Sequence, residues 1–258
     1  MSKVTISVSQ GIATITFNRP TTLNAITAED YEAFSCALRD IDKRDDVVVT
    51  VWQATGKWFC AYVPHENLRE ISSLKTRIFP RGTDLKASKP PAPTLRHQFL
   101  ERVAATNTET SQALYSHGKI LVAALNGPVM GIAAAFLGHF DFIYCMPEAW
   151  LSVPFTFLGL VSEGGASALF MKRMGLAKAN EALIWGKKLS SQELLACGFI
   201  NQIFPQQPVE SFHASVREHL LEQLSGLEPT AVLGVKKTSE GWLKGTKRSG
   251  CCEHAGKP

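Results

Sequence analysis

The run from Ile120 to Gly138 constrains this chain more than any other stretch. It opens as an apolar strand, Ile120 to Leu125, breaks at Asn126-Gly-Pro128, and restarts after Gly131 as a small-residue helix. Its length approaches a membrane span, and it contains Gly127-x-x-x-Gly131. The break, and His139 and Asp141 directly after, make it a buried strand–turn–helix instead. Glycine at such a turn lets backbone N–H groups approach a carbonyl oxygen closely. Further on, Leu158-Gly-Leu-Val-Ser-Glu-Gly-Gly165 sets one acid, Glu163, among Leu, Val, Phe and Gly. Donors and a lone carboxylate of this kind suit stabilising an enolate and moving a proton.

The flanking sequence supplies an α/β layout. Val4 to Phe17 alternates around Gly11 as a hairpin, and Thr27 with Glu29 and Asp30 starts a helix carrying Tyr31, Phe34, Leu38 and Ile41. A strand follows at Val47 to Trp52. A second unit runs as a helix from Leu95 to His117, the Ile120 strand, the helix after Gly131 and a strand from Phe140 to Tyr144. Repeated strand–strand–helix units predict parallel pairing. Residues 71–94, with Pro80, Gly82, Pro90, Pro91 and Pro93, read as a loop: a lid over a pocket or a surface insertion. From Ser190 the chain turns helical apart from a strand at Phe199 to Phe204, with helices near 209–224 and 229–243.

Composition excludes several classes. With 27 basic and 23 acidic residues the charge is +4, too small for a nucleic-acid surface. The six cysteines form no CxxC pair and no disulfide framework, which predicts a reduced intracellular protein. Cys251-Cys252 with His254 makes a poor zinc site, so no metal is expected. The N-terminus alternates like a strand and has no secretory core. Ser162 sits in no nucleophile elbow, His65 and Glu66 read as a solvated loop face, and His139 beside Asp141 reads as local hydrogen bonding rather than a dyad. The tail residues Lys236, Lys237, Lys244, Lys247 and Arg248 read first as a solubilising surface, and second as contacts to phosphates.

Several landmarks in order resemble the enoyl-CoA hydratase/isomerase (crotonase) superfamily. They are Phe17-Asn-Arg-Pro20 with Leu23-Asn-Ala25, Gly56-Lys-Trp-Phe-Cys-Ala61, Asn126-Gly-Pro-Val-Met-Gly131, Asp141-Phe-Ile-Tyr144 and Ala196-Cys-Gly-Phe-Ile-Asn201. Gly159-Leu-Val-Ser-Glu-Gly-Gly165 and Ala177-Lys-Ala-Asn-Glu-Ala-Leu183 resemble fungal-type peroxisomal Δ3,Δ2-enoyl-CoA isomerases. The resemblance implies an α/β fold, a crotonase-like spiral of ββα units over residues 1–204, with a helical trimerisation region over 205–258. It also implies an acyl-CoA thioester as substrate, no cofactor beyond its CoA moiety, a homotrimer or hexamer, and a peroxisomal setting. Ala255-Gly-Lys-Pro258 is not a Ser-Lys-Leu terminus, which leaves the cytoplasm open.

The same resemblance assigns roles. Val63 and Ile132 would give the oxyanion-hole amides. Asn24, Ala25 and the strand edge with Cys60, Ala61, Tyr62 and Pro64 would line the CoA groove, and Gly131 and Phe155 would also contact the substrate. The two hydratase glutamates are replaced by Ala135 and Phe155, and Glu163 aligns with the isomerase carboxylate. One departure stands out: the family's Gly-Ala-Asp is Tyr62-Val63-Pro64 here, with bulk where backbone should meet the thioester. The implied activity is conversion of 3-enoyl-CoA to 2-trans-enoyl-CoA. A diverged hydratase or lyase on a specialised CoA ester, and an inactive CoA-ester-binding subunit, are the alternatives.

Overall fold

A computed structural model describes residues 3–61, 94, 96 and 100–245. The lid expectation for 71–93, and Tyr62, Val63, Pro64, His65 and Glu66, lie outside the described residues. Strands β1 (Val4–Ser9) and β2 (Ile12–Phe17) form the expected hairpin, paired from Val4 opposite Phe17 to Ser9 opposite Ile12. Gln10 and Gly11 turn it with φ of 52° and 74°, the left-handed pair that matches strand twist.

From β2 the sheet grows in parallel through β3 (Val49–Ala54), β4 (Ile120–Leu125), β6 (Phe142–Cys145) and β9 (Gln202–Ile203). A smaller sheet holds β5 (Val129–Met130), β7 (Trp150–Ser152) and β8 (Leu189–Ser190), in the order β5-β7-β8. Side chains alternate across the larger sheet with the strand period of two. One face, with Ile15, Phe17, Trp52, Leu121 and Ala123, joins the main core. There Trp52 sits 4.7–5.7 Å, ring centre to ring centre, from Phe17, Phe34, Phe59 and Phe140. The opposite face, with Val49, Val51, Val122 and Ala124, forms a second core.

Helix α1 (Ala28–Asp42) begins where Thr27 predicted. The Thr27 hydroxyl accepts from the Asp30 amide, and the Asp30 carboxylate accepts from the Thr27 amide, a reciprocal cap. The helix expected over 95–117 is a nine-residue π-helical segment, Leu100–Thr108, followed by α2 (Glu109–Ser116). Thr106, Asn107 and Thr108 are weak α-formers, and a widened turn there redirects side chains. Then come α3 (Ile132–Phe136), α4 (Ala166–Leu183) and α5 (Ser191–Ala196), with α4 kinked at Gly175 where φ is 75° and ψ 161°.

The two C-terminal helices are α6 (Val209–Leu224) and α7 (Pro229–Gly245). Phe212, Val216 and Leu220 of α6 recur every fourth residue and cover the second core. On α7, Lys236 corrects the tail reading, because it is a buried internal group and not a surface lysine. Its Nζ donates to the Lys119 carbonyl at 2.6 Å and to Asp141 at 2.7 Å. No helix among the described residues is long and apolar enough to cross a membrane.

Candidate active site

The amide end of the site is built where two chain segments run side by side. Cys60 forms a parallel bridge to Val129, the Met130 amide donates to the Cys60 carbonyl at 2.9 Å, and the Ala61 amide donates to the Leu23 carbonyl at 2.8 Å. Gly127 permits this approach, since a Cβ there would stand 2.1 Å from the Lys57 carbonyl oxygen. Asn126 ties the same turn down, its Nδ2 donating to the Gly56 carbonyl at 2.6 Å. Gly131 then adopts φ 71° and ψ −136°, a conformation essentially reserved for glycine. Ile132 is the first residue of α3, so its N–H has no acceptor within the helix.

The other groove residues predicted from the sequence divide by role. Asn24 is buried with φ 57°, and its side chain braces backbone: Nδ2 donates to Thr55 and Trp58 carbonyls, and Oδ1 accepts from the Arg19 amide. Ala25, Cys60 and Ala61 are buried beside it. Burial pushes the Cys60 thiol up to about 12, which leaves it a packing group and not a nucleophile. Ala135 and Phe155 are also buried, and neither side chain can carry a proton.

Glu163 lies before α4 on a turn made by two successive left-handed glycines, Gly164 at φ 63° and Gly165 at φ 79°. That turn rests on α3: a Cβ on Gly164 would come within 3.2–3.3 Å of Ile132, Phe136 and Ala135 side chains. The turn that follows Glu163 is therefore packed on the helix that begins at Ile132. Asn107, from the π-helical segment, donates its Nδ2 to Glu163 Oε2 at 2.6 Å. The His139 ring nitrogen Nε2 lies 2.9 Å from the Gly164 carbonyl; a carbonyl only accepts, so Nε2 carries the proton. Burial raises the Glu163 carboxyl above the ordinary glutamate range, and the Asn107 hydrogen bond pulls more weakly the other way.

A cavity of about 400 Å³ opens beside this carboxylate, lined among others by Asn107, Ser111, Gln112, Tyr115 and His139. His139 and Asp141 face different partners: Asp141 Oδ2 accepts from the Leu121 amide and from Lys236. Sequence reasoning missed Asn107. It lies 56 residues from Glu163, in a stretch with no motif, and only the fold joins them. Among the described residues no group of three or more His, Cys, Asp or Glu could hold a metal.

The described residues combine a largely parallel sheet, a short helix that starts at Ile132 after the Gly131 turn, and one partly buried carboxylate, Glu163, on a turn packed against that helix. The chain belongs to the enoyl-CoA hydratase/isomerase family, whose model matches residues 71–239. It is 39% identical over 207 residues to a Delta(3,5)-Delta(2,4)-dienoyl-CoA isomerase of Pyricularia oryzae, covering 80% of this chain and 70% of that one. It is 29% identical over 221 residues to a 3,2-trans-enoyl-CoA isomerase of Saccharomyces cerevisiae, covering 84% and 74%. The fold matches a crystal structure of an enoyl-CoA hydratase/isomerase from Pseudoalteromonas atlantica T6c with TM-score 0.73 and 24% identity, over 94% of this chain and 84% of that one.

Proposed function

We propose that this protein is an acyl-CoA double-bond isomerase that converts 3-enoyl-CoA to 2-trans-enoyl-CoA. The observation that carries this reading is a partly buried carboxylate, Glu163, the one carboxylate on the cavity among the described residues; by resemblance, Ala135 and Phe155 stand where a hydratase needs glutamates. Water addition needs one group to activate water and another to protonate carbon. A double-bond shift needs one group that takes a proton from C2 and returns it at C4. In the proposed step Glu163 removes the C2 proton, and the electron pair moves onto the thioester oxygen as a dienolate. The Ile132 amide, with Val63 by resemblance, holds that oxygen. The carboxyl then protonates C4, the C2–C3 double bond forms, and Glu163 is regenerated as a carboxylate. Its raised proton affinity suits both halves of this cycle. We include the peroxisomal β-oxidation setting and the trimeric assembly in the proposal, both by resemblance.

The Pyricularia oryzae relative motivates a second reading, a 3,5-dienoyl-CoA isomerase. That reaction moves the proton from C2 to C6, a longer span that favours a second proton carrier. Among the described residues the only other titratable side chains on the cavity are His139 and Tyr115. The test is turnover of matched medium-chain 3-enoyl-CoA and 3,5-dienoyl-CoA thioesters, with the products identified by ultraviolet absorbance and mass. Faster turnover of the 3-enoyl substrate, with no mass change, supports the proposal. Exclusive turnover of the dienoyl substrate shifts the assignment to the second reading, and a gain of one water overturns both.

A further inference from the structure

One wall of the Glu163 cavity carries a pattern that the proton shuttle does not use. Thr108, Ser111, Gln112 and Tyr115 stand at i, i+3, i+4 and i+7 and all line the cavity, so they share one helical face. At that spacing a helix facing an alkyl chain would present Leu, Ile or Phe. Here every position bears a hydroxyl or an amide. The same helix buries Ala113 and Leu114 in the main core, so its polar side is the one turned to the ligand space.

Solvent exposure accounts for Gln112 and Tyr115 but not for Asn107 at the inner end of the wall. Asn107 is only 5% exposed, and its Oδ1 has no hydrogen-bond partner among the described residues while Nδ2 is committed to Glu163. A buried acceptor without a donor is destabilising, and a ligand hydroxyl would supply that donor. Among the described residues no Lys or Arg lines the cavity, and Glu163 must be anionic to act as a base, so a carboxylate-bearing chain is disfavoured against these walls. Ser111 lies one helical turn from Asn107, on the order of 6 Å along the axis, so the polar wall continues one turn past the residue bonded to Glu163.

We infer that the acyl chain taken by this site carries a hydroxyl group beyond the reacting carbons, and that Ser111 and Gln112 read it, with Asn107 as the innermost acceptor. This rests on the isomerase reading above and names its substrate class.

The experiment compares a medium-chain 3-enoyl-CoA with analogues bearing one hydroxyl at successive carbons beyond C5, using the full chain and a Ser111→Ala/Gln112→Leu double variant. The expected result is a kcat/KM at least about 10-fold higher for one hydroxylated position, with the preference reversed in the double variant. Native preference for the plain chain at every position overturns the inference and leaves the isomerase reading standing, as does a ratio unchanged in the double variant. If neither thioester turns over, the isomerase reading fails. The inference is then decided by calorimetric Kd values for saturated acyl-CoA and hydroxyacyl-CoA: about 10-fold tighter binding of the hydroxylated ligand supports it, and equal binding overturns it.

Discussion

Two carboxylates of this chain, Asp141 and Glu163, have opposite surroundings. Asp141 accepts at Oδ2 from the Leu121 amide and from the buried Lys236 ammonium, both at 2.7 Å, and so joins β4, β6 and α7. Glu163 accepts one hydrogen bond among the described residues, from a neutral amide, and has no cation paired with it there. Its backbone sits beside two left-handed glycines instead of inside a regular element. An acid whose oxygen accepts from a backbone amide and a buried ammonium ties three elements together and acts as a strut. An acid with one neutral donor and partial burial can gain and lose a proton, which is what the proposed reaction asks of it.

The largest break in this comparison comes from Glu163→Gln. It keeps the shape and removes the base, so kcat is expected to fall by roughly 10³-fold or more, near the upper end of what a general base contributes. Stability measured by urea denaturation is expected to stay within about 0.5 kcal/mol, since no charge partner is lost. A stable variant that still turns over at the native rate would remove Glu163 from the mechanism.

Lys236→Met tests the other member. Removing the ammonium leaves Asp141 without its cation and the Lys119 carbonyl without its donor, and about 3 kcal/mol of stability is expected to disappear. The kcat of the folded fraction should hold. Equal effects of the two variants on turnover would mean that the strut and the site are not separable.

What the sequence disclosed follows the same division. Ile120–Leu125 appears as the strand its apolar run predicts, Thr27 caps α1, and Gly131 starts α3, because each of these signals is local. The catalytic candidates Glu163 and Ile132 were visible through residue type and motif. Asn107 and Lys236 were not. Each is defined by a partner across the fold, at separations of 56 and 95 residues, and neither has a periodicity or cap to announce it. The helix expected over 95–117 is present from Leu100 to Ser116, but its first half is π-helical where Asn107 meets Glu163, which no local signal announced.

The glycine turn offers a smaller and more local test. Gly164→Ala places a methyl at φ 63° against Ile132, Phe136 and Ala135. Gly159→Ala, at φ 68° with nothing within 4 Å, carries the backbone strain alone. Both are expected to lose about 1–2 kcal/mol in denaturation. Only Gly164→Ala should also lower kcat, because the added methyl pushes the turn that carries Glu163 off the α3 side chains. Matching kcat values for the two variants would show that the carboxylate does not depend on this contact.

Asn107→Ala is expected to have the mildest effect on rate and the most specific signature. Its Nδ2 stabilises the charged form of Glu163, and burial opposes it with the larger influence. A base must be deprotonated to act, so kcat/KM falls as the pH drops through the Glu163 pKa, already above the usual glutamate range. Deleting the donor removes the hydrogen bond that pulls the carboxyl down and leaves burial unopposed by it, so the acid limb should move to higher pH. At pH well above that limb the variant is expected to recover to within about 10-fold of the native kcat/KM, a loss of roughly 1.4 kcal/mol assigned to orientation. Asn107→Gln, which can restore the donor, should return part of the limb toward its native position. An unshifted limb in Asn107→Ala would mean that the 2.6 Å hydrogen bond orients Glu163 without tuning it, and the contrast with Asp141 would then rest on the missing cation alone.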